Sequence, residues 1–342
     1  MNPSRPIEIV GGGLAGLSLG LALRRADVPV KIFEAGDYPR HRVCGEFITG
    51  LKESTVARLG LAPLLADALQ HREVAWFIGE KIARLQKLPS PALGVSRHAL
   101  DARIADAFVA AGGELQTRTR FTDTASVEGR VFSTGRRRGD SPWIGLKFHA
   151  RNLTPDHDLE LHLGDEAYVG LSRVENGRTN VCGLFRRRAL CAKGPNLLLG
   201  YLDAAGLGGL ADRLAAADPD PASCAAVVAV NFDGRVSLSA PDRVTLGDAC
   251  AMIPPFTGNG MAMAFQSAEV ALDPLLAFAR GEIAWAETCR RIHSALTRRF
   301  RLRLASARAL HPYLLHRPRQ RVLGALTRAR LLPLRPLYQL LH

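Results

Sequence analysis

From residue 288 to the C-terminus the chain has no aspartate or glutamate, yet it carries 13 arginines there. The preceding 287 residues hold 32 basic and 32 acidic side chains, so the net charge of +13 belongs to the C-terminal segment alone. Basicity confined in this way argues against reading the whole chain as a nucleic-acid binder, and no recognised nucleic-acid fold or aromatic platform accompanies it. Long apolar runs are also missing. No stretch reaches the ~18 uninterrupted apolar residues that a transmembrane helix needs. Cysteines are few: the six, at 44, 182, 191, 224, 250 and 289, form no CxxC pair. That pattern argues against a disulfide framework or zinc site and implies a reduced, cytoplasmic protein. The N-terminus enters an apolar strand within ten residues and lacks a cleavage site, so no signal peptide is expected. No internal repeat or low-complexity tract is visible.

What remains is a chain of 342 residues, 47% of them hydrophobic, enough for a sizeable core in one large or two joined domains. Residues 7–10 form a short β-branched run ending in glycine, the mark of a buried strand, and the patterning then predicts a helix over 14–26 and a strand over 28–33. This is a βαβ unit of the parallel-sheet kind. Helices are predicted at 51–69 (broken at Pro63), 97–111 and 196–217, with a strand at 73–78. In the middle of the chain the period changes to two: Ile144, Leu146, Phe148 and Ala150 alternate with Gly145, Lys147 and His149. Strands at 159–163, 167–174 and 179–185 follow, in the manner of a half-buried antiparallel sheet. Strands at 227–232 and 244–246 and a long helix over 258–279 lead into a helical, arginine-rich end. A nucleotide-binding layer is thus interrupted by an inserted sheet and completed later in the chain.

Two motifs carry chemistry. The first is Gly11-Gly12-Gly13-Leu14-Ala15-Gly16, which fits GxGxxG between strand and helix. Gly11 permits the tight turn, Gly13 lets the backbone approach a pyrophosphate, and Gly16 lets the helix pack on the strand. The helix N-terminus offers free N–H donors to the phosphates. Glu34 closes the second strand, where an acid can accept ribose hydroxyls. The second motif is a strand ending in Gly247-Asp248, followed by Pro254-Pro255-Phe256-Thr257-Gly258-Asn259-Gly260-Met261 and a helix. An acid at a strand end can hold a polyol hydroxyl. A Pro/Gly loop feeding a helix aims N–H groups at an acceptor such as the N1–C2=O edge of a flavin. The first motif alone does not separate FAD from NAD; the pair, in this order, resembles the two cofactor motifs of the FAD-dependent hydroxylase superfamily, which implies FAD.

The second motif resembles the GD…P…G.G segment of the FAD-dependent hydroxylase superfamily. The resemblance implies a Rossmann-like, glutathione-reductase-type α/β layer with an inserted antiparallel substrate sheet and a helical C-terminus. On this reading residues 1–70, 94–138 and 240–285 form the FAD domain, 71–93 and 139–239 the substrate domain, and 286–342 a basic helical tail. It also implies Asp248 on the ribityl chain and, near the flavin, Gly247, Pro255 and the Gly258, Asn259, Gly260, Met261 stretch. The segment Pro39-Arg40-His41-Arg42-Val43-Cys44-Gly45-Glu46 is similar to the basic-x-CG segment of geranylgeranyl reductases and of FAD oxidoreductases that accompany polyketide synthases. In such proteins it passes beside the flavin, which implies Arg42 at cofactor phosphate or the site entrance and Cys44 and Glu46 near the isoalloxazine. Arg97 resembles an arginine that contacts FAD. Lys147 and His149 lie either on a solvated strand face or toward the substrate.

Two departures direct the functional reading. The GADG-like segment of aromatic hydroxylases has no counterpart in Val131-Phe132-Ser133-Thr134-Gly135-Arg136, and the three tryptophans, Trp76, Trp143 and Trp285, are isolated, which rejects tryptophan-type flavin halogenases. The expected protein is an FAD-dependent oxidoreductase of a hydrophobic polyketide- or isoprenoid-like molecule, with hydride transfer at the flavin, NAD(P)H as transient donor, no metal, and Cys44, Glu46 and Lys147 as candidate catalytic groups. The alternatives are a flavin monooxygenase using a C4a-hydroperoxide and a non-catalytic docking flavoprotein. The arginine-rich end would meet an anionic membrane surface or an acidic carrier protein, or simply form a solvated outer face.

Overall fold

The computed structural model describes residues 4–123, 125–136, 139–232, 236, 241–329, 331 and 334–341. Among these the strands form two sheets. The chain opens with β1 (Ile7–Val10), α1 (Leu14–Arg24) and β2 (Val30–Phe33), and β1 and β2 pair in parallel from Ile7↔Val30 to Val10↔Phe33. This sheet is completed by β6 (Glu114–Gln116), β7 (Arg130–Phe132) and β13 (Val244–Thr245), giving the all-parallel order β13-β7-β1-β2-β6. The long crossover α1 is apolar almost all round and buried along its length, as a helix sandwiched between layers must be.

The second sheet takes its strands from the intervening chain: β3 (Phe47–Ile48), β4 (Leu69–Ile78), β5 (Lys81–Gly94), β8 (Trp143–Ala150), β9 (Leu159–Gly164), β10 (Ala167–Arg173), β11 (Thr179–Arg186) and β12 (Pro219–Val228). Its order is β12-β8-β11-β10-β9-β4-β5-β3, antiparallel except where β4 and β9 run together. One face packs on α4 (Pro195–Ala204) and α5 (Gly208–Ala215), with Ile144, Leu146 and Phe148 meeting Leu198, Leu202, Leu210 and Leu214. The other face meets the parallel layer. The fold is therefore the α/β layer with an inserted sheet and helical C-terminus that the motifs implied.

Several elements differ from the sequence reading. The helix expected at 51–69 is α2 (Glu53–Leu59), which stops at Gly60 in the left-handed region (φ 68°), followed by a 3₁₀ turn at Ala62–Leu64. The helix expected at 196–217 is split into α4 and α5 by Gly206 (φ 72°). Strand β5 carries Pro89 and Pro91, which hid it; the register with β4 shifts between His71↔Ala92 and Glu73↔Lys87, so both prolines fall in the irregularity. The strand expected at 227–232 runs instead from Pro219 to Val228.

Helix α3 (Arg97–Ala110) flanks the parallel sheet, and α6 (Gly260–Ala279) and α7 (Trp285–Leu315) pack together on the same core. Trp285, Cys289, Ile292, Leu296, Phe300 and Leu304 of α7 are buried there. Leu314 and Leu315 join a second cluster with Leu161, Leu163 and Tyr168 of the inserted sheet. Helices α8 (Arg317–Arg328) and α9 (Leu334–Leu341) end the chain. Gln320 ties α8 down, its Nε2 donating to the carbonyls of Gly164 (2.7 Å) and Leu314 (2.8 Å). No helix among the described residues is long and apolar enough to cross a membrane.

Candidate functional site

One cavity of about 1140 Å³ lies between the two sheets, and both motifs line it. This exceeds the roughly 300–1,000 Å³ of a site for one drug-sized ligand. Gly11, Gly13, Leu14 and Ala15 form one end of the lining, and Gly247, Asp248, Pro255, Gly258, Gly260 and Met261 another part of it. Gly11 has φ 107°, a conformation that L side chains rarely adopt, and a Cβ there would strike the backbone of Ser133. Gly16 does not line the cavity; a Cβ on it would collide with the Gly11 carbonyl and the Ser133 hydroxyl, so it serves the close helix–strand approach. Around Gly13 and Gly260, by contrast, a Cβ would meet nothing within 4 Å. Side chains there would only fill the cavity.

Glu34 ends β2 with its carboxylate buried. Oε2 accepts from the Gly12 N–H (2.8 Å), and Oε1 from the Gly36 N–H (2.8 Å) and Arg40 (2.8 Å). Burial alone would raise its pKa; the Gly36 N–H and the charges of Arg42 and Arg40 outweigh it, and the carboxyl is held below its ordinary value. Beside it lies a second carboxylate that the sequence reading missed. Asp101 takes Nε and NH2 of Arg97 (2.6 and 2.7 Å) and Nε of Arg42 (3.0 Å). The Arg97–Asp101 pair is an i,i+4 pair on α3, a spacing that could have been read in advance. Arg42 NH2 is buried without a hydrogen bond, 3.8 Å from Glu34. Arg42 lines the same cavity as Gly13, and a guanidinium charge there suits a phosphate.

Asp248 stands in the 3₁₀ turn after β13. Solvent reaches it from the cavity while protein surrounds it elsewhere, and this enclosure raises its pKa against the pull of Arg97, Arg136 and Arg42. Gly258 (φ 67°) caps the turn at Pro255–Thr257, and α6 begins at Gly260, so the helix N-terminus opens on the cavity. Asn259 lies behind this loop: it is buried, absent from the cavity wall, and its Nδ2 donates to the Leu341 carbonyl (2.7 Å). The donors, the polyol-side carboxylate and the open glycines together fit FAD.

Against the Pro39–Glu46 segment sits a second polar cluster. Glu46 is fully buried and takes φ 56°, an uncommon conformation for a residue with a side chain. Its Oε1 accepts from the Arg97 N–H (3.0 Å) and lies 3.2 Å from Lys147 Nζ; its Oε2 lies 2.6 Å from His149 Nε2. Lys147 Nζ also lies 3.0 Å from His41 Nδ1. His41 stacks on His98, with ring centroids 4.4 Å apart. Burial tends to raise the Glu46 pKa, but the hydrogen bond to His149 and the charge of Lys147 bring it below the ordinary value. His41 is pushed down to about 4, by burial first and then by Lys147. His41, Glu46 and His149 are close enough to share a metal ion, with ligand atoms within 4.8 Å of one another. The Lys147 ammonium already supplies a cation to that group.

Lys147 and His149 are therefore buried, each 2% exposed, where a solvated face had been one expectation. Neither they nor Glu46 line the cavity; His41, Cys44 and Gly45 do. Lys147 reaches the cavity wall through His41, a residue of the quoted segment that sequence reasoning passed over. Burial raises the thiols of Cys44 and Cys182, so neither is poised as a thiolate nucleophile. Elsewhere the cavity wall is largely apolar, with Trp76, Leu161, Tyr168, Leu184, Phe256 and Leu314. Of the C-terminal segment, Leu310, Leu314, Leu323, Gly324, Thr327, Tyr338 and Leu341 reach this wall. Arg303 is buried on Gln266 (2.7 Å), and Arg299 pairs with Glu269 (2.8 Å). Arg330 and the side chains of Arg328 and Arg335 lie outside the described residues.

A model of the NAD(P)-binding Rossmann-like domain matches residues 9–45. A menaquinone reductase of Mycolicibacterium smegmatis is 27% identical over 143 residues, 38% of this chain and 33% of the relative. One from Mycobacterium tuberculosis is 31% identical over 108 residues, 30% of this chain and 26% of the relative. The matched stretch thus spans a third or less of these curated relatives. In fold, the chain is similar to Pseudomonas aeruginosa PqsL in complex with 2-aminobenzoylacetate, at TM-score 0.73 and 17% identity over 92% of this chain and 97% of that one. It is also similar to Klebsiella pneumoniae HpxO with FAD and uric acid, at TM-score 0.73 and 18% identity over 94% and 93%.

Proposed function

We propose that the chain is an FAD-dependent oxidoreductase that reduces a hydrophobic polyketide- or isoprenoid-like small molecule. The observation that carries this reading is that two motifs more than 200 residues apart line one continuous cavity, whose remaining wall is largely apolar. FAD bound there supplies two-electron hydride chemistry, with NAD(P)H as its transient donor. Gly13, the N-terminus of α1 and the charge of Arg42 would hold the pyrophosphate. Glu34 would take the ribose, Asp248 the ribityl chain, and the N-terminus of α6 would favour negative charge at the pyrimidine edge. The apolar arm bordered by Trp76, Leu161 and Tyr168 holds the substrate and excludes water.

A hydride delivered to carbon needs a proton to balance it, and the buried cluster is built to move one. Lys147, as ammonium, donates to His41 Nδ1, which leaves the N–H of this neutral imidazole on Nε2. As His41 releases that proton to the substrate, it takes one from Lys147 through Nδ1. Glu46 holds the lysine in place from the far side. The sequence kinship to menaquinone reductases supports a lipophilic quinone or a comparable prenylated compound as substrate class. A second reading is a flavin monooxygenase, favoured by the fold likeness over nine-tenths of the chain to PqsL, described as a probable FAD-dependent monooxygenase.

The purified chain is expected to carry, or take up, a flavin with its visible spectrum; a chain that stays colourless after incubation with FAD overturns the reading. Reduced anaerobically with NADH or NADPH and given a short-chain prenylated naphthoquinone, it should yield a product gaining two hydrogens. Label in the product from isotopically marked dioxygen would assign the monooxygenase instead. His41→Gln is expected to lower turnover roughly 100-fold, the scale of a lost general acid, with an unchanged flavin spectrum.

A further inference from the structure

Helix α8 turns a partly polar face inward and an aliphatic face outward. Successive residues turn by about 100°, so Gln320, Gly324 and Thr327 share the side that packs on the protein, and all three are buried. On the opposite side Pro318, Val322, Ala325, Leu326 and Ala329 fall within roughly one 100° sector, and all five are exposed. Val322 is 51% and Leu326 37% exposed, and Leu331 just beyond reaches 69%. A solvated outer face would put polar side chains there. Instead the aliphatic sector is flanked by Arg319 on one side and Arg321 on the other, both exposed.

We propose that this outer face of α8 docks on an anionic bilayer surface, lying in the plane of the interface. An apolar sector bordered by arginines is the arrangement by which a helix sinks its aliphatic side chains among acyl chains while its cations meet lipid phosphates. Charge complementarity selects the partner: no carboxylate follows Glu287 in the chain, whereas exposed Arg298, Arg301, Arg317, Arg319 and Arg321 do. A second copy would bring the same positive field and be repelled. The inner face of the same helix, through Leu323, Gly324 and Thr327, lines the apolar cavity, so the docked wall is one that separates membrane from cavity. The docking rests on this helix geometry and stands or falls separately from the redox reading.

The test uses the full chain in co-sedimentation with vesicles of phosphatidylcholine alone and of phosphatidylcholine with about one third phosphatidylglycerol, at low and high salt. Binding only to the anionic vesicles, weakened by salt, is expected. The double substitution Val322→Asp with Leu326→Asp should weaken it at least about tenfold. Arg319→Gln with Arg321→Gln should weaken it roughly thirtyfold, while the Lys replacements retain most of it. Flavin binding and the thermal midpoint, unchanged in these surface variants, report that the fold is intact. Equal sedimentation of wild type and the Val322/Leu326 variant overturns the proposal, as does equal binding to neutral vesicles. Self-association or capture by an acidic carrier protein, abolished by those substitutions in a chain that ignores vesicles, also overturns it and assigns the face to that partner.

Discussion

The Pro39–Glu46 segment is flanked by two buried charge clusters that are built from different materials. On the side of the adenosine motif, Arg40, Arg42 and Arg97 meet Glu34 and Asp101. On the side of the inserted sheet, Lys147, His149 and His41 gather round Glu46. Guanidinium keeps its proton throughout the working pH range, so the first cluster is a fixed field with forked donors suited to holding phosphate. Amine and imidazole exchange protons readily, so the second is suited to moving one. The first lines the cavity with Arg40, Arg42 and Arg97, whereas the second reaches the cavity wall through His41. In the proposed function, holding and transferring would be separated by a few residues of one loop.

The largest effect that would sharpen this contrast comes from Glu46→Gln. It leaves the Lys147 charge buried and uncompensated, and should cost about 3–5 kcal/mol in urea unfolding. A loss below about 1 kcal/mol would mean that the second cluster is not held by charge. In the first cluster, Arg42→Met should weaken FAD binding about thirtyfold, ~2 kcal/mol, the scale of a hydrogen bond to a charged group. Asp101 keeps Arg97 as its partner, so the unfolding midpoint should move little; unaltered FAD affinity would remove Arg42 from the cofactor site. The smallest effect separates the clusters along the pH axis. His41 is pushed down to about 4 from its ordinary 6.5, by burial first and then by Lys147, His149 and His98, with Glu46 favouring its charge. The unfolded chain binds the extra proton, so stability falls as pH drops from about 6.5 to about 4 and flattens below that. Glu34 and Glu46, whose pKa values are lowered, keep their contribution above about 4.5 and lose it only as pH falls further. Melting curves of His41→Gln should show a slope reduced by about 1 kcal/mol across the upper window, after discount for solvent at the ring. His311, also pushed down to about 4 by burial, supplies a share of the same slope and is the internal control.

What could be read in advance follows from how local the determinant is. The turn at Gly11–Gly16 and the acid at Glu34 are set by backbone geometry within one βαβ unit, so sequence alone located them. The alternation through Lys147 and His149 was visible too, but its meaning depended on what covers the polar face. A period of two reads as water on one side, whereas here helices bury one side and the Pro39–Glu46 segment the other. His41 escaped for a related reason, since Lys147 is brought close to it only by folding, whereas the i,i+4 spacing of Arg97 and Asp101 was legible but passed over. Prolines disguised β5, and one glycine in the left-handed region divided what periodicity joined into a single helix. The basic end looked like an appendage because its charge dominated the composition, yet its aliphatic residues complete the core and the cavity wall.

The bond from Asn259 to the Leu341 carbonyl joins the glycine loop of the cofactor cradle to the last turn of the chain. Two parts of a polypeptide tied in this way form a thermodynamic linkage, and linkage is reciprocal. A ligand that settled the loop would also fasten α9, and a change that freed α9 would slacken the loop. Slower amide exchange of α9 is the outcome expected when the cradle is filled.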